Sequence, residues 1–189
     1  MTSQPSIRRL RTAFRYLNRF MVVVWRLGLG NWVNVWPAVL GRIMVLVQFG
    51  RKTAVKRRTP LNYAIIDGDV YCTAGFGKIS DWHKNILENP EVEVWLPDGW
   101  WAGIATDVSD SGSRLPLLRE VLIASGFASH LAGIRPKAIS DADLARLTID
   151  YRVVRIERTR ALTGYGGPGD LSWVWPVLTV LLLAALLLR

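Results

Sequence analysis

Gly50-Arg51-Lys52-Thr53, then Lys56, Arg57 and Arg58, then Thr59-Pro60, place five cations within eight consecutive positions. The run lies between two apolar segments that read as strands, not in a tail. Shortly after it comes Ala74-Gly75-Phe76-Gly77-Lys78, a glycine-rich turn leading into a short helix. An anionic ligand needs this combination. Arginine forks grip phosphate or carboxylate bidentately, lysine adds a point charge, and bare backbone N–H groups complete the shell. Most charge runs are solvated surface. Two features favour a ligand here: the placement between strands, and a second anion-friendly turn within short range.

Groups able to move protons are sparse. Tyr63, Ser80 and His130 are the candidates for polarising a substrate. The chain has two histidines, His83 and His130, too few for a metal site, so no metal ligands are assigned. It has one cysteine, Cys72, which excludes an intrachain disulfide and a cysteine-based zinc site. Cys72 reads as a strand residue rather than a nucleophile, and it fits a reducing compartment.

Gly50-Arg51-Lys52-Thr53 with Arg57 and Thr59-Pro60-Leu61 resembles the signature of the deazaflavin-dependent nitroreductase family. Asp81-Trp82-His83-Lys84-Asn85 running into Glu88-Asn89-Pro90-Glu91-Val92 resembles that family's helix and following strand, and the likeness covers residues 20 to 160. It implies a split β-barrel like that of flavin-mononucleotide-binding oxidoreductases. It also implies hydride transfer with coenzyme F-420, a deazaflavin whose phosphate-bearing, polyglutamylated tail is multiply anionic. By position, Arg51, Lys52 and Arg57 would contact phosphate or tail carboxylates, with Lys78 as a further candidate. Thr59 and Pro60 would shape the groove, and Ala74, Gly75, Phe76 and Gly77 would lie against the ring, where missing side chains permit close approach. Trp82 and Asn85 would support packing and the helix. A membrane anchor, expected at 171–189, set beside a hydride-transfer site suggests a hydrophobic acceptor such as a quinone; the resemblance adds a nitro compound. The family's nitroreductases present tyrosines after the second helix, where this chain has Gly126-Phe127-Ala128-Ser129-His130. A phosphate-binding loop serves flavin mononucleotide (FMN) equally well. A non-catalytic, membrane-associated module holding anionic lipid or a cofactor is the reading from another class. Related split barrels are often dimers, so a homodimer is a further expectation.

These residues need elements to hold them. A chain of 189 residues allows one domain with appendages. The net charge of +9 is uneven: residues 1 to 66 hold twelve Lys or Arg and no Asp or Glu. Such a bias points to an anionic partner. Nucleic acid is disfavoured, because no zinc finger, RNA-binding signature or helix-turn-helix pattern is present. Strands are expected at 43–49, 61–66, 70–74, 91–96, 100–108 and 151–157. Asp67-Gly68 and Pro97-Asp98-Gly99 make tight turns. Helices are expected at 81–88, 112–125 and after the capping box Ser140-Asp141-Ala142-Asp143. Tight turns imply antiparallel pairing, and closure into a small barrel hides the edges. The fold class is α+β, with the barrel domain at 43–160.

The flanks carry membrane expectations. Residues 6 to 26 suggest a basic amphipathic helix with Leu10, Phe14, Leu17, Met21 and Val24 on one face, suited to a membrane interface or to core packing. Residues 27 to 42 read as a broken helical connection, completing an N-terminal segment at 1–42. After a glycine-rich linker at 161–170, Leu171 to Leu188 is eighteen residues without a charge. As one helix it would reach about 27 Å, close to a bilayer core of about 30 Å. The expectation is a transmembrane anchor at 171–189. The basic bulk before it would keep the domain cytoplasmic, as a single-pass protein of the cell membrane.

Overall fold

The computed structural model describes residues 16–188. It contains six strands: β1 (Ile43–Phe49), β2 (Lys56–Ile66), β3 (Asp69–Ala74), β4 (Glu91–Leu96), β5 (Gly99–Asp107) and β6 (Arg152–Ala161). The helices are α1 (16–26), α2 (Gly30–Val33), α3 (Pro37–Leu40), α4 (Asp81–Glu88), α5 (Arg114–Ala124), α6 (Phe127–Leu131), α7 (Asp141–Leu147) and α8 (Val174–Leu187). A single 3-10 turn at Gly77–Ile79 precedes α4. All strand pairs are antiparallel, and the order β1-β2-β3-β6-β5-β4 closes into a barrel.

Alternation along the strands sorts side chains to two faces. Met44, Leu46, Val70, Cys72, Val94, Val154 and Ile156 fill the interior. On the outer face Val45, Val47 and Trp95 pack against Trp25 of α1. A third cluster joins Leu118 and Leu122 of α5 and Leu144 of α7 to Val153 on the outer face of β6. Trp25 fits because the buried Gly30 has no Cβ; one built there would overlap the indole.

The structure corrects several expectations. The cationic connection is shorter than 50–60: β2 begins at Lys56, so Lys56 to Pro60 is strand paired with β1. Pro60 is tolerated because β3 pairs with β2 only from Tyr63 onward, which leaves the other edge of β2 open at that level. Within α1 the buried residue is Trp25, with Val22 beside it, while Leu17 is exposed. Residues 6–15 of that expected helix lie outside the described residues. The broken connection at 27–42 contains α2 and α3, and α6 was not expected at all.

The largest correction concerns the C-terminus. The expected transmembrane helix over 171–189 is instead α8, fourteen residues long. At 1.5 Å per residue that is about 21 Å, short of the bilayer core. Among the described residues no helix is long and apolar enough to cross a membrane. The single-pass membrane anchor, and the cell-membrane localisation with a cytoplasmic domain drawn from it, therefore have no basis. The cause is local. Gly169 N–H donates to Trp25 O at 3.0 Å and Leu171 N–H to Arg26 O at 2.8 Å. Asp170, only 3% exposed, accepts a bidentate pair of bonds from Arg26 at 2.9 Å each. These ties hold 169–173 in turns, so the helix starts at Val174.

Candidate functional site

The β1–β2 turn is set by Gly50, whose N–H donates to Val55 O at 2.9 Å and whose carbonyl accepts from Ala54 N–H at 2.7 Å. Ala54 takes a positive φ of 52° to close it. The five cations then divide by role. Arg51 reaches across to α4: its backbone N–H and its Nη1 both donate to Asn85 Oδ1, at 3.2 and 3.1 Å. Its Nη2 pairs with Asp81 Oδ1 at 3.1 Å. Asn85, the expected helix-support residue, is buried and therefore holds the turn as well as the helix. Lys56 pairs with Glu93 at 2.6 Å. Arg58 stacks over Trp95, 5.3 Å from the ring centre, and donates to Gly166 O at 3.2 Å. The side chains of Lys52 and Arg57 make no hydrogen bond or ion pair among the described residues, and both residues are exposed. Lys78 likewise has no such partner and is exposed.

Register explains why Arg57 and Arg58 diverge. Arg57 lies opposite Gln48, on the face that carries Thr59, Leu61 and the barrel interior; Arg58 lies on the opposite face, with Trp95. Gln48 is buried. With its amide nitrogen toward the carbonyls of Leu46 and Arg57, at 2.9 Å each, its oxygen accepts from Thr59 Oγ1 at 3.0 Å. Thr59 is thereby fixed beneath the cationic turn. Continuing the Tyr63↔Cys72 register two residues along brings Leu61 level with Ala74 and Pro60 level with Gly75, where the ladder has ended. The open edge of β2 thus faces the glycine turn. Arg51 closes this corner from the other side, since Asp81 lies three residues beyond Lys78.

The glycine turn has its own seat. Gly77 has φ 58°, and a Cβ there would overlap the Asp150 carbonyl. A Cβ on Gly75 would touch the Tyr151 ring, 3.5 Å from Cζ and 3.7 Å from the hydroxyl. Gly75 and Phe76 are exposed and Ala74 is buried. Tyr151 is half-buried, and burial raises its phenol above the usual value. Sequence reasoning missed it: its place at the head of the last strand gave no hint, and only the Ala74↔Arg152 register sets it beside Gly75.

The three candidates for acting on a substrate do not converge. Ser80, at the start of α4, adjoins the glycine turn. Tyr63 is buried within the barrel interior, which raises its phenol above the usual value. His130 sits on α6 and lines a cavity of about 580 Å³ bounded by α3, α5, α6 and the far end of β2. Ala64 to Ile66 line that cavity; Arg57 is seven to nine residues away, about 20–30 Å along the strand. None of the residues expected to bind cofactor lines it.

His83 and Asp107 tie α4 to the end of β5, Nε2 to Oδ2 at 2.8 Å. Burial works to raise the Asp107 carboxyl. Hydrogen bonds from the Ser109 hydroxyl and N–H, and then from His83, hold it below the usual carboxylate value. Cys72 is fully buried, and its thiol is pushed up to about 12 by burial, so it is inert as a nucleophile. Among the described residues no group of histidine, cysteine and carboxylate side chains could hold a metal ion.

The donor set suits a phosphate- and carboxylate-bearing cofactor. Among the described residues the side chains of Lys52, Arg57 and Lys78 have no acidic partner, and the turn before Lys78 is bare at Gly75. The family model of the F420H(2)-dependent quinone reductases matches residues 18–127, more than half of the chain. No curated protein matches. Among solved structures, a conserved hypothetical protein, Rv2991 from Mycobacterium tuberculosis, is 19% identical, with 69% of this chain and 78% of that one covered and a TM-score of 0.48. An F420-H2 dependent reductase, FDR-A, is 20% identical over 61% of this chain and 94% of that one, at 0.45. HutZ, the heme storage protein from Vibrio cholerae, is 12% identical over 68% and 89%, at 0.46.

Proposed function

This chain belongs to the F420H(2)-dependent quinone reductase family, and from that premise we propose that it reduces a quinone or a similar hydrophobic acceptor. It is an oxidoreductase whose cofactor is coenzyme F-420. When bound, the deazaflavin supplies the hydride; the protein supplies binding, orientation and exclusion of water.

Lys52 and Arg57 hold the phosphate and tail carboxylates, and Lys78 binds from the facing turn. The supporting observation is that these cations lack partners while Arg51, Lys56 and Arg58 are taken up by the fold. Arg51 is a positioning residue: through Asn85 and Asp81 it fixes the turn against α4. Thr59, held by Gln48, and Pro60 form the floor of the groove. Ala74 to Gly77 form its ring-side wall, bare at Gly75. Tyr151 places an undissociated phenol beside that wall, where its hydroxyl can hydrogen-bond an acceptor carbonyl and hold the proton that carbonyl needs on reduction. A nitro compound presents similar acceptor oxygens and is the second substrate class.

Two measurements test this reading. Purified protein is mixed with reduced coenzyme F-420 and a short-chain menaquinone, and cofactor oxidation is followed by absorbance. Oxidation above the protein-free rate is expected, and a rate equal to background would overturn the acceptor assignment. Binding of the cofactor alone, by calorimetry on the parent and on a Lys52→Gln/Arg57→Gln variant, tests the binding residues separately.

A further inference from the structure

The cavity at the far end of β2 has no part in the reading above. Its apolar surface comes from Ile65 and Ile66 of β2, Ile123 of α5 and Pro37 of α3. Its charged groups are Arg42, Arg135 and Lys137 against one acid, Glu120. None of these four makes an ion pair among the described residues, although ten such pairs are formed elsewhere. Among the described residues the fold therefore leaves an excess of positive charge, three cations against one acid, around one concave apolar surface. His130 adds a ring whose Nδ1 lies 3.2 Å from Gly126 O, so that Nε2 is left without a protein partner among the described residues. The hollow is half open to solvent, and its volume of about 580 Å³ falls within the range of clefts that hold small molecules. Like-charged side chains held near one another repel, and a bound anion relieves that repulsion. Apolar walls reward a ligand with a hydrocarbon or aromatic body.

We propose that this cavity is a second ligand site, separate from the cofactor groove, for a small amphiphilic anion with an apolar body and a carboxylate head. The head lies among Arg42, Arg135 and Lys137, and the body lies on Ile65, Ile66 and Ile123. Glu120, on the same rim, weakens the anion's hold and limits affinity.

The test uses the full chain and decanoate as probe, with decanol and decyltrimethylammonium as neutral and cationic counterparts, by isothermal titration calorimetry. Decanoate is expected to bind more tightly than either counterpart. Arg135→Gln and Lys137→Gln should each weaken it about tenfold, the scale of one charge-assisted hydrogen bond. Glu120→Gln should strengthen it several-fold, a change opposite in sign that general damage to the fold would not produce. Equal binding of all three probes, or decanoate binding indifferent to the three substitutions, would overturn the proposal. A last arm repeats the titration with coenzyme F-420 present at saturation. Unchanged decanoate affinity supports a separate site; mutual displacement assigns the cavity to the cofactor and overturns it. No arm depends on turnover, so failure of the probe and substitution arms leaves the quinone-reductase reading intact; mutual displacement alone would bear on both, by moving the cofactor out of its proposed groove.

Discussion

Where α1 meets the C-terminal stretch, Arg26 grips a buried Asp170 through a bidentate pair. At the β1–β2 turn, Lys52 and Arg57 have no partner among the described residues and lie exposed. Both regions are basic in sequence, yet the turn pairs only part of its charge: Arg51 and Lys56 have carboxylate partners, whereas the side chains of Lys52 and Arg57 do not. A buried carboxylate must be matched, because an uncompensated charge away from water is costly. An exposed cation carries little such cost and remains available. The contrast separates charges that build the molecule from charges that wait for a ligand, and it can be broken at either end.

The largest effect is expected at the buried pair. Arg26→Ala leaves Asp170 without its partner and should lower unfolding stability by about 3 kcal/mol, read as a shifted urea midpoint. Coenzyme affinity of the folded fraction should not change. A loss under about 0.5 kcal/mol, the level of an ordinary surface substitution, would erase the distinction. Next comes the converse. Lys52→Gln/Arg57→Gln should weaken coenzyme binding about 100-fold, two charge-assisted contacts' worth, while the melting temperature moves by no more than about 2 °C. Arg51→Gln sharpens the comparison because Arg51 sits on the same turn as Lys52 but is spent within the fold. It should cost about 1 kcal/mol of stability through the lost guanidinium bonds to Asn85 and Asp81 and, by loosening the turn, also weaken binding.

The paired carboxylate Asp107 adds a pH arm. Its folded pKa is depressed, so its stabilisation is present above the unfolded carboxylate value, about 4. That stabilisation is lost as pH falls through the lower folded value. Parent protein should therefore lose stability between about pH 5 and pH 3 more steeply than Asp107→Asn, measured by urea midpoints at several pH values. Equal slopes would show that Asp107 is not held low. The smallest effect is at Tyr151. Tyr151→Phe should lower turnover a few-fold with coenzyme affinity intact, because only one hydrogen bond to the acceptor is removed.

Strand positions were legible because alternation and turn residues are local signals: β1 and β4 begin and end at the expected residues, and α4 ends before Asn89-Pro90 as expected. The start of β2 was not legible. Lys56, Arg57 and Arg58 look like loop, and only pairing with β1 makes them strand, tertiary context overriding propensity. The uncharged run 171–188 reads as one helix because hydropathy cannot register that Gly169 and Leu171 are tied to α1. At the candidate site, charge and glycine clustering identify a region but not which cations are spent. Asn85 and Glu93 decide that, from α4 and from β4. Tyr151 was invisible for the same reason, since its neighbour Gly75 is distant in the chain.

The seat of Gly77 on the Asp150 carbonyl has a consequence for how the molecule is made. The turn belongs to the first half of the chain, but its support arrives with β6, whose pairing with β3 joins Val70 to Ile156. Contacts so distant in sequence form late, because loop-closure entropy must be overcome before they stabilise anything. During synthesis the cationic hairpin can fold early, whereas the glycine turn proposed to receive the ring is completed only once the last strand has emerged. In a refolding experiment, amide protection along the β3–β6 ladder, between Val70 and Ile156, should therefore lag behind protection in the β1–β2 hairpin.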